Sequence, residues 1–170
     1  LKHKITIIGI GDDGLEGLTR QALDQIATAG TIFGATNLLR KVEQSPTHVS
    51  SQRLEPTIAD LDQMSAAINN AKQLPVVLLA SGDPLFYGTS RYLCEKLGKD
   101  RFEVLPHVSS MQLAFARVKE SWDEAYLTNM ATQTVSRAVE RIRSAEKVGM
   151  FTTDEVSPAV IAKALLEQGI

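Results

Sequence analysis

The feature that most restricts the fold is an alternation. Short apolar runs of strand length, such as "KITII" near the start and "VVLLA" at Val76–Ala80, take turns with stretches whose apolar residues recur every three or four positions. Parallel strands need a long crossover to return to the same edge, so this rhythm marks a mostly parallel sheet with helices on its faces. The chain is α/β. Strands are expected at Lys4–Ile8, Thr31–Phe33, near His48–Ser51, at Pro75–Ala80 and at Phe102–Leu105. Helices are expected between them at Thr19–Ala29, Asn37–Val42, Ile58–Lys72 and Gly88–Leu97. The clearest is "IADLDQMSAAINNAK", in which Ile58, Leu61, Met64 or Ser65, Ile68 and Ala71 mark one face and Asp60 and Asp62 suit the positive N-terminal end.

After Pro106 the rhythm restarts. A helix near Ser109–Ala116, a strand around Ala125–Leu127, a helix at Thr134–Ser144, a strand at Lys147–Thr152 and a helix at Pro158–Glu167 follow. Two α/β domains are therefore expected, residues 1–108 and 109–170. The second is expected to be incomplete, because "AVIAKALLEQGI" reads as a helix and its Gly cap with no strand after it. Hydrophobic residues make up 44% of the 170, enough for a packed core. The net charge of −2, with both signs interspersed, provides no positive field for nucleic acid or an anionic membrane face. The longest apolar runs fall well short of the roughly 20 residues of a membrane helix. One cysteine, Cys94, excludes an internal disulfide and a Cys-rich zinc site, which fits a reducing, cytoplasmic setting.

"GIGDDGLEGLT", Gly9–Thr19, contains a literal G-x-G-x-x-G after the first strand. A dinucleotide site would place the third glycine at the helix start and an acid about 20 residues further on. The helical pattern begins only near Thr19, and the second strand ends in Gly34, Ala35 and Thr36 without an acid. The stretch is then a Gly-rich strand-to-helix turn or a wall for some other ligand at the strand ends. "VVLLASGDPLFYG", Val76–Gly88, is more informative. Gly82 allows positive φ or close backbone approach, Asp83 can cap the next helix, and Pro84 tolerates its opening turn. The functional alternative is that Gly82 bares backbone to a ligand while Asp83 favours a cation. "EVLPHVSSMQLAFARV", Glu103–Val118, offers Ser109 and Ser110 as helix caps or ligand donors.

Together these strings resemble the tetrapyrrole methylases, S-adenosylmethionine-dependent enzymes of cobalamin and sirohaem synthesis. "GIGDDGLEGLT" is similar to the family's G-x-G-P-G-D-x-x-L-L-T loop, with Asp12 and Asp13 where it has Pro-Gly. "SGDPLFYG" matches its G-D-P loop, and "PHVSS" its P-G-[IV]-S-[SA] loop with His107 in place of glycine. The longer strings "LASGDPLFYG", "SSMQLAFAR" and "SWDEA" most resemble the members that methylate carbon 5 of a late precorrin. The resemblance implies the tetrapyrrole methylase fold, two α/β domains with a donor cleft between them rather than a Rossmann-type methyltransferase, and a homodimer. It implies donor contacts at Ser81, Gly82, Asp83, Phe86, Ser109 and Ser110, with Phe151, Thr152 and Thr153 from the second domain. Gly9, Gly11, Asp12, Asp13 and His107 would line the cleft and substrate loop. At position 107 a non-glycine residue must avoid positive φ or bear strain.

Methyl transfer from a sulfonium relies on positioning, so no catalytic triad or metal is expected. His3, His48 and His107 have no metal-ligand spacing, and Cys94 lies within a helical pattern. Water or a loop acid, Asp12 or Asp13, could accept the released proton. A precorrin carries many carboxylates, for which Arg20, Arg40, Arg91 and Arg117 are candidates. The decarboxylating, carbon-15 methylating step would belong to a partner domain or subunit. Competing readings are another methylase of this fold, acting on uroporphyrinogen III or the diphthamide precursor, and a non-enzymatic nucleotide-binding module.

Overall fold

A computed structural model describes residues 3–46, 48 and 50–170. Its contacts divide the chain into two units, Leu1–Ser110 and Met111–Ile170. The first unit is a five-stranded parallel sheet of β1 (Ile5–Ile10), β2 (Thr31–Gly34), β3 (Arg53–Pro56), β4 (Val76–Ser81) and β5 (Phe102–Leu105), ordered β3-β2-β4-β1-β5. Between the strands run α1 (Arg20–Thr28), α2 (Thr36–Glu43), α3 (Leu61–Asn69) and α4 (Ser90–Leu97).

Alternate residues of the central strands feed two different cores. Ile8, Ile10, Val77, Leu79 and Ile32 face α1 and α2, packing with Ala22, Ile26, Leu38, Leu39 and Val42. Ile5, Ile7, Val76, Leu78 and Phe33 face the other way, onto Met64 and Ile68 of α3 and Leu93 and Cys94 of α4. A sheet covered on both faces needs strands that are apolar throughout. Accordingly β1 and β2 are buried along their whole length, whereas the edge strands β3 and β5 are partly exposed.

The helix ends follow side-chain chemistry. Thr19 accepts from the Ala22 N–H at 3.2 Å to start α1, and Asp60 accepts from Asp62 and Gln63, both at 2.9 Å, to start α3. The last carbonyls near α1 are satisfied at a distance, where Gln52 Nε2 donates to Ile26 (2.7 Å) and Ala29 (3.0 Å). One expectation needs correction. The third strand is Arg53–Pro56, not near His48–Ser51: His48 is not in a strand, Ser50 and Ser51 form a turn, and Val49 lies outside the described residues. "RLEP" is an edge strand held by backbone pairing to β2 on one side only, so it carries no apolar run to betray it.

The second unit has a parallel pair, β6 (Tyr126–Asn129) and β7 (Val148–Phe151), with α5 (Ser110–Val118, beginning at the boundary), α6 (Val135–Ile142) and α7 (Pro158–Glu167). Met130, Ala138 and Ile161 form its core, flanked by Val135, Met150, Val156 and Leu165. Gly149 of β7 lies so close to Met111 and Phe115 of α5 that a Cβ there would come within 2.6 Å of the Met111 sulfur. The α7 end is a glycine cap as expected: Gly169 has φ +68°, and the Ile170 N–H donates to Leu165 O at 3.0 Å. No helix among the described residues is long and apolar enough to cross a membrane.

Ile26, 1% exposed beneath the sheet, is the test of the first core. Ile26→Ala is expected to cost about 2–5 kcal/mol in urea unfolding, and a loss below about 1 kcal/mol would show that α1 is not held by that face.

Candidate functional site

Strand register decides which loops meet. β1 and β4 run side by side in register to their ends, with Gly9 opposite Ala80 and Ile10 opposite Ser81. On its other side β1 pairs with β5, Ile8 opposite Leu105, so the chain that follows Leu105 emerges beside Gly9. Three strand-end segments, around Gly9, Gly82 and His107–Ser109, are thereby brought to one place.

There is no space for a side chain at that meeting point. A Cβ on Gly9 would land on the Gly82 carbonyl oxygen and lie 2.7 Å from the His107 backbone nitrogen. Gly82 has φ +60°, donates its N–H to Ile10 O at 2.7 Å, and would press a Cβ to 2.9 Å from Ser109 Cα. Both properties foreseen for Gly82, close approach and positive φ, are present. His107 is not among the residues with positive φ, so its departure from glycine carries no such strain.

Beside this junction is a hollow of about 530 Å³, within the roughly 300–1,000 Å³ of ligand pockets. Ser81, Asp83 and Phe86 of the G-D-P loop line one side. Phe86 and Tyr87 form an edge-to-face pair with centroids 4.7 Å apart. Asp83 does not cap the next helix, which removes that alternative. Its Oδ1 accepts from the Leu85 N–H at 2.9 Å and its carbonyl from Phe86 at 3.1 Å, while α4 begins only at Ser90 without a side-chain cap. The Asp-Pro pair starts a local turn, which holds the carboxylate at the hollow's edge. The opposite wall, from Thr57, Ile58, Leu61 and Met64, was not identified from sequence as part of a site. Leu61 and Met64 carry an ordinary packing signal, and no motif distinguishes a residue that packs from one that also borders a hollow.

Among the other foreseen residues, Ser109 is buried just before α5 and Ser110, the first residue of α5, is exposed. Gly11, Asp12 and Asp13 lie in the turn after β1, with both acids exposed. Gly14 has φ +67°, yet α1 starts six positions later, and Gly9 sits within β1. The glycines thus do not open a helix as a pyrophosphate cradle requires. Phe151 ends β7 in the second unit, followed by Thr152 and by Thr153, whose Oγ1 accepts from the Val156 N–H at 3.0 Å.

Arg20, Arg40, Arg91 and Arg117 are all exposed, and Arg91 pairs with Glu95 at 3.0 Å on its own helix. Among the described residues no cluster of His, Cys, Asp and Glu could hold a metal ion. Cys94 is buried in the α3/α4 core, and burial pushes its thiol above the usual range, which leaves it unreactive.

Comparison with known proteins agrees with this architecture. The family described as Tetrapyrrole (Corrin/Porphyrin) Methylases matches residues 4–168. A Sinorhizobium protein named precorrin-6Y C(5,15)-methyltransferase [decarboxylating] is 29% identical over 97% of this chain, which covers 39% of that protein. The chain therefore spans about two fifths of the length of such relatives. It covers 79% of a Salmonella typhimurium cobalt-precorrin-7 C(5)-methyltransferase, again at 29% identity over 97% of the chain. Among solved structures, that of the methyltransferase CobJ superposes with a TM-score of 0.72 over 99% of this chain and 77% of its own, at 18% identity, which shows the shared fold.

The backbone junction has a direct test. Gly9→Ala is expected to destabilise by about 3 kcal/mol or more, since the neighbours of the added methyl are backbone. Gly17→Ala, where the obstacle is the movable Asp13 side chain, is expected to cost under about 1 kcal/mol. Equal effects in chemical denaturation would contradict the packing described.

Proposed function

The chain belongs to the tetrapyrrole (corrin/porphyrin) methylases, and on that premise we propose that it transfers a methyl group from S-adenosylmethionine to carbon 5 of a late precorrin or cobalt-precorrin. The observation that carries this reading is the convergence of the G-D-P loop and the His107–Ser109 segment on Gly9, beside a hollow that Ser81, Asp83 and Phe86 line. Relatives that align along 97% of the chain are named for this methylation.

The residues present fit such a donor. Glycine at 9 and 82 exposes backbone N–H and C=O groups that a Cβ would otherwise crowd, the Phe86 and Tyr87 rings provide faces for a flat heterocycle, and Asp83 places a carboxylate where a cation is favoured. The family resemblance assigns further donor contacts to Ser109, Ser110, Phe151, Thr152 and Thr153. When bound, the donor supplies an electrophilic methyl whose bond to sulfur breaks as the bond to carbon 5 forms. The protein's task is then alignment, in a site where the Asp83 carboxylate would favour the donor's positive charge. The proton lost from carbon 5 passes to water or to an exposed acid of the glycine loop, Asp12 or Asp13. Gly11 and His107 wall the substrate side, and exposed arginines meet substrate carboxylates.

The chain aligns with about two fifths of the decarboxylating relatives, and the proposed activity is carbon-5 methylation; the family resemblance assigns decarboxylation and carbon-15 methylation to a separate domain or subunit. A cytoplasmic homodimer is the corresponding assembly.

Incubation with methyl-labelled donor and a late precorrin should place the label on carbon 5 by NMR; label arriving only on uroporphyrinogen III would assign another methylase of this fold. In calorimetry S-adenosylhomocysteine should bind and NAD should not, and the reverse would sink the proposal. Asp83→Ala should weaken S-adenosylmethionine binding about tenfold or more while costing about 1 kcal/mol in stability. An unchanged affinity would leave Asp83 as a turn residue only.

A further inference from the structure

The glycine loop between β1 and α1 is anchored on its α1 side by Leu15 and Leu18, which pack into the core shared with α1 and α2. Its local backbone bonds are Gly14 N–H to Gly11 O and Leu18 N–H to Leu15 O, both 3.2 Å, and Asp12, Asp13, Glu16 and Gly17 are exposed. His107, 90 residues away in sequence, reaches into it. Its Nε2 lies 3.0 Å from Gly17 O. The ring lies against Gly11 so closely that a Cβ there would be 2.7 Å from Nδ1 and 2.8 Å from Cε1. The imidazole is 15% exposed, and Asp13 Oδ1 approaches Nε2 to 3.8 Å.

A carbonyl oxygen only accepts, so Nε2 must carry the hydrogen, and the buried Nδ1, with no partner, is the bare nitrogen. The tautomer is therefore set by the bond to Gly17. Glycine at 11 is explained by the same contact, since any side chain would displace the ring.

We propose that His107 is a positioning residue, whose Nε2–H bond to Gly17 O pins the glycine loop to the segment that carries Ser109 and so fixes one wall of the methyl-transfer site. This rests on the function proposed above for that site. Gly9 and Gly82 fix the strand ends through backbone packing and Leu15 and Leu18 seat the loop on the core, which leaves the exposed residues Asp13, Glu16 and Gly17. The His107 contact ties them to the same junction, because the His107 backbone nitrogen already abuts Gly9. A freed loop would sample open states and lower the fraction of molecules ready for substrate.

His107→Phe keeps a flat ring and removes the donor, whereas His107→Gln keeps an amide N–H at similar reach. In the Phe variant the Gly14 and Leu18 amides should exchange about tenfold faster and KM for the precorrin should rise about fivefold to tenfold, with kcat within about twofold. The Gln variant should restore both. In wild-type protein, 15N NMR should show the Nε2–H tautomer. The opposite tautomer, a Gln variant that behaves like Phe, or a Phe variant with wild-type exchange and KM would each overturn the proposal. If wild-type protein transfers no methyl group, the functional reading fails by itself, while exchange and tautomer still judge the tether.

Discussion

The first unit depends on one tight backbone contact, the place where Gly9 of β1 meets the Gly82 carbonyl and the His107 nitrogen. Adjacent parallel strands are held about 4.8 Å apart by their hydrogen bonds along their length. Beyond the last ladder bond they would normally diverge to make room for side chains. Here they do not, because two glycines remove the obstacle and Gly82 turns back with positive φ to donate to Ile10. The result is a rim of bare backbone that loop mobility cannot easily disturb.

Around that rigid junction the side chains divide into two kinds. Those below it, from Ile5 to Ile10 and Val76 to Leu79, serve the two cores and fix the strands. Those above it are held by hydrogen bonds: the Asp83 carboxylate accepts from the Leu85 N–H, and the His107 ring pairs with Gly17 O. Preorganisation of this sort suits a reaction in which alignment, rather than proton relay or metal chemistry, supplies most of the acceleration. It also explains why a G-x-G-x-x-G spelling need not cradle a pyrophosphate. In this chain one glycine admits a neighbouring strand, one admits an imidazole and one takes a left-handed turn.

The central strands and nearly all the helices were legible because burial on both faces forces continuous apolar runs, and helix periodicity is written in residues such as Met64 and Ile68. Phe102–Leu105 and Pro158–Glu167 match their expected bounds. The third strand was not legible, because an edge strand is defined by its partner's backbone and "RLEP" has no pattern of its own. The capping alternative for Asp83 fails for a related reason: Asp-Pro specifies a turn, but whether a helix continues from it depends on packing further along. The far wall of the hollow at Thr57, Ile58, Leu61 and Met64 left no sign of a site, only the helical periodicity of Ile58, Leu61 and Met64.

By itself the sequence determined the α/β class and the three loops whose strings resemble the tetrapyrrole methylases, since periodicity and short motifs are local properties. Only tertiary structure decided that Gly9, Gly82 and Ser109 adjoin, that His107 turns towards Gly17, and that a hollow opens beside Asp83. Those facts follow from strand order and register, which bring together residues as distant in sequence as Gly9 and His107. No local pattern encodes that pairing, because it is the joint outcome of every strand seeking cover on both faces.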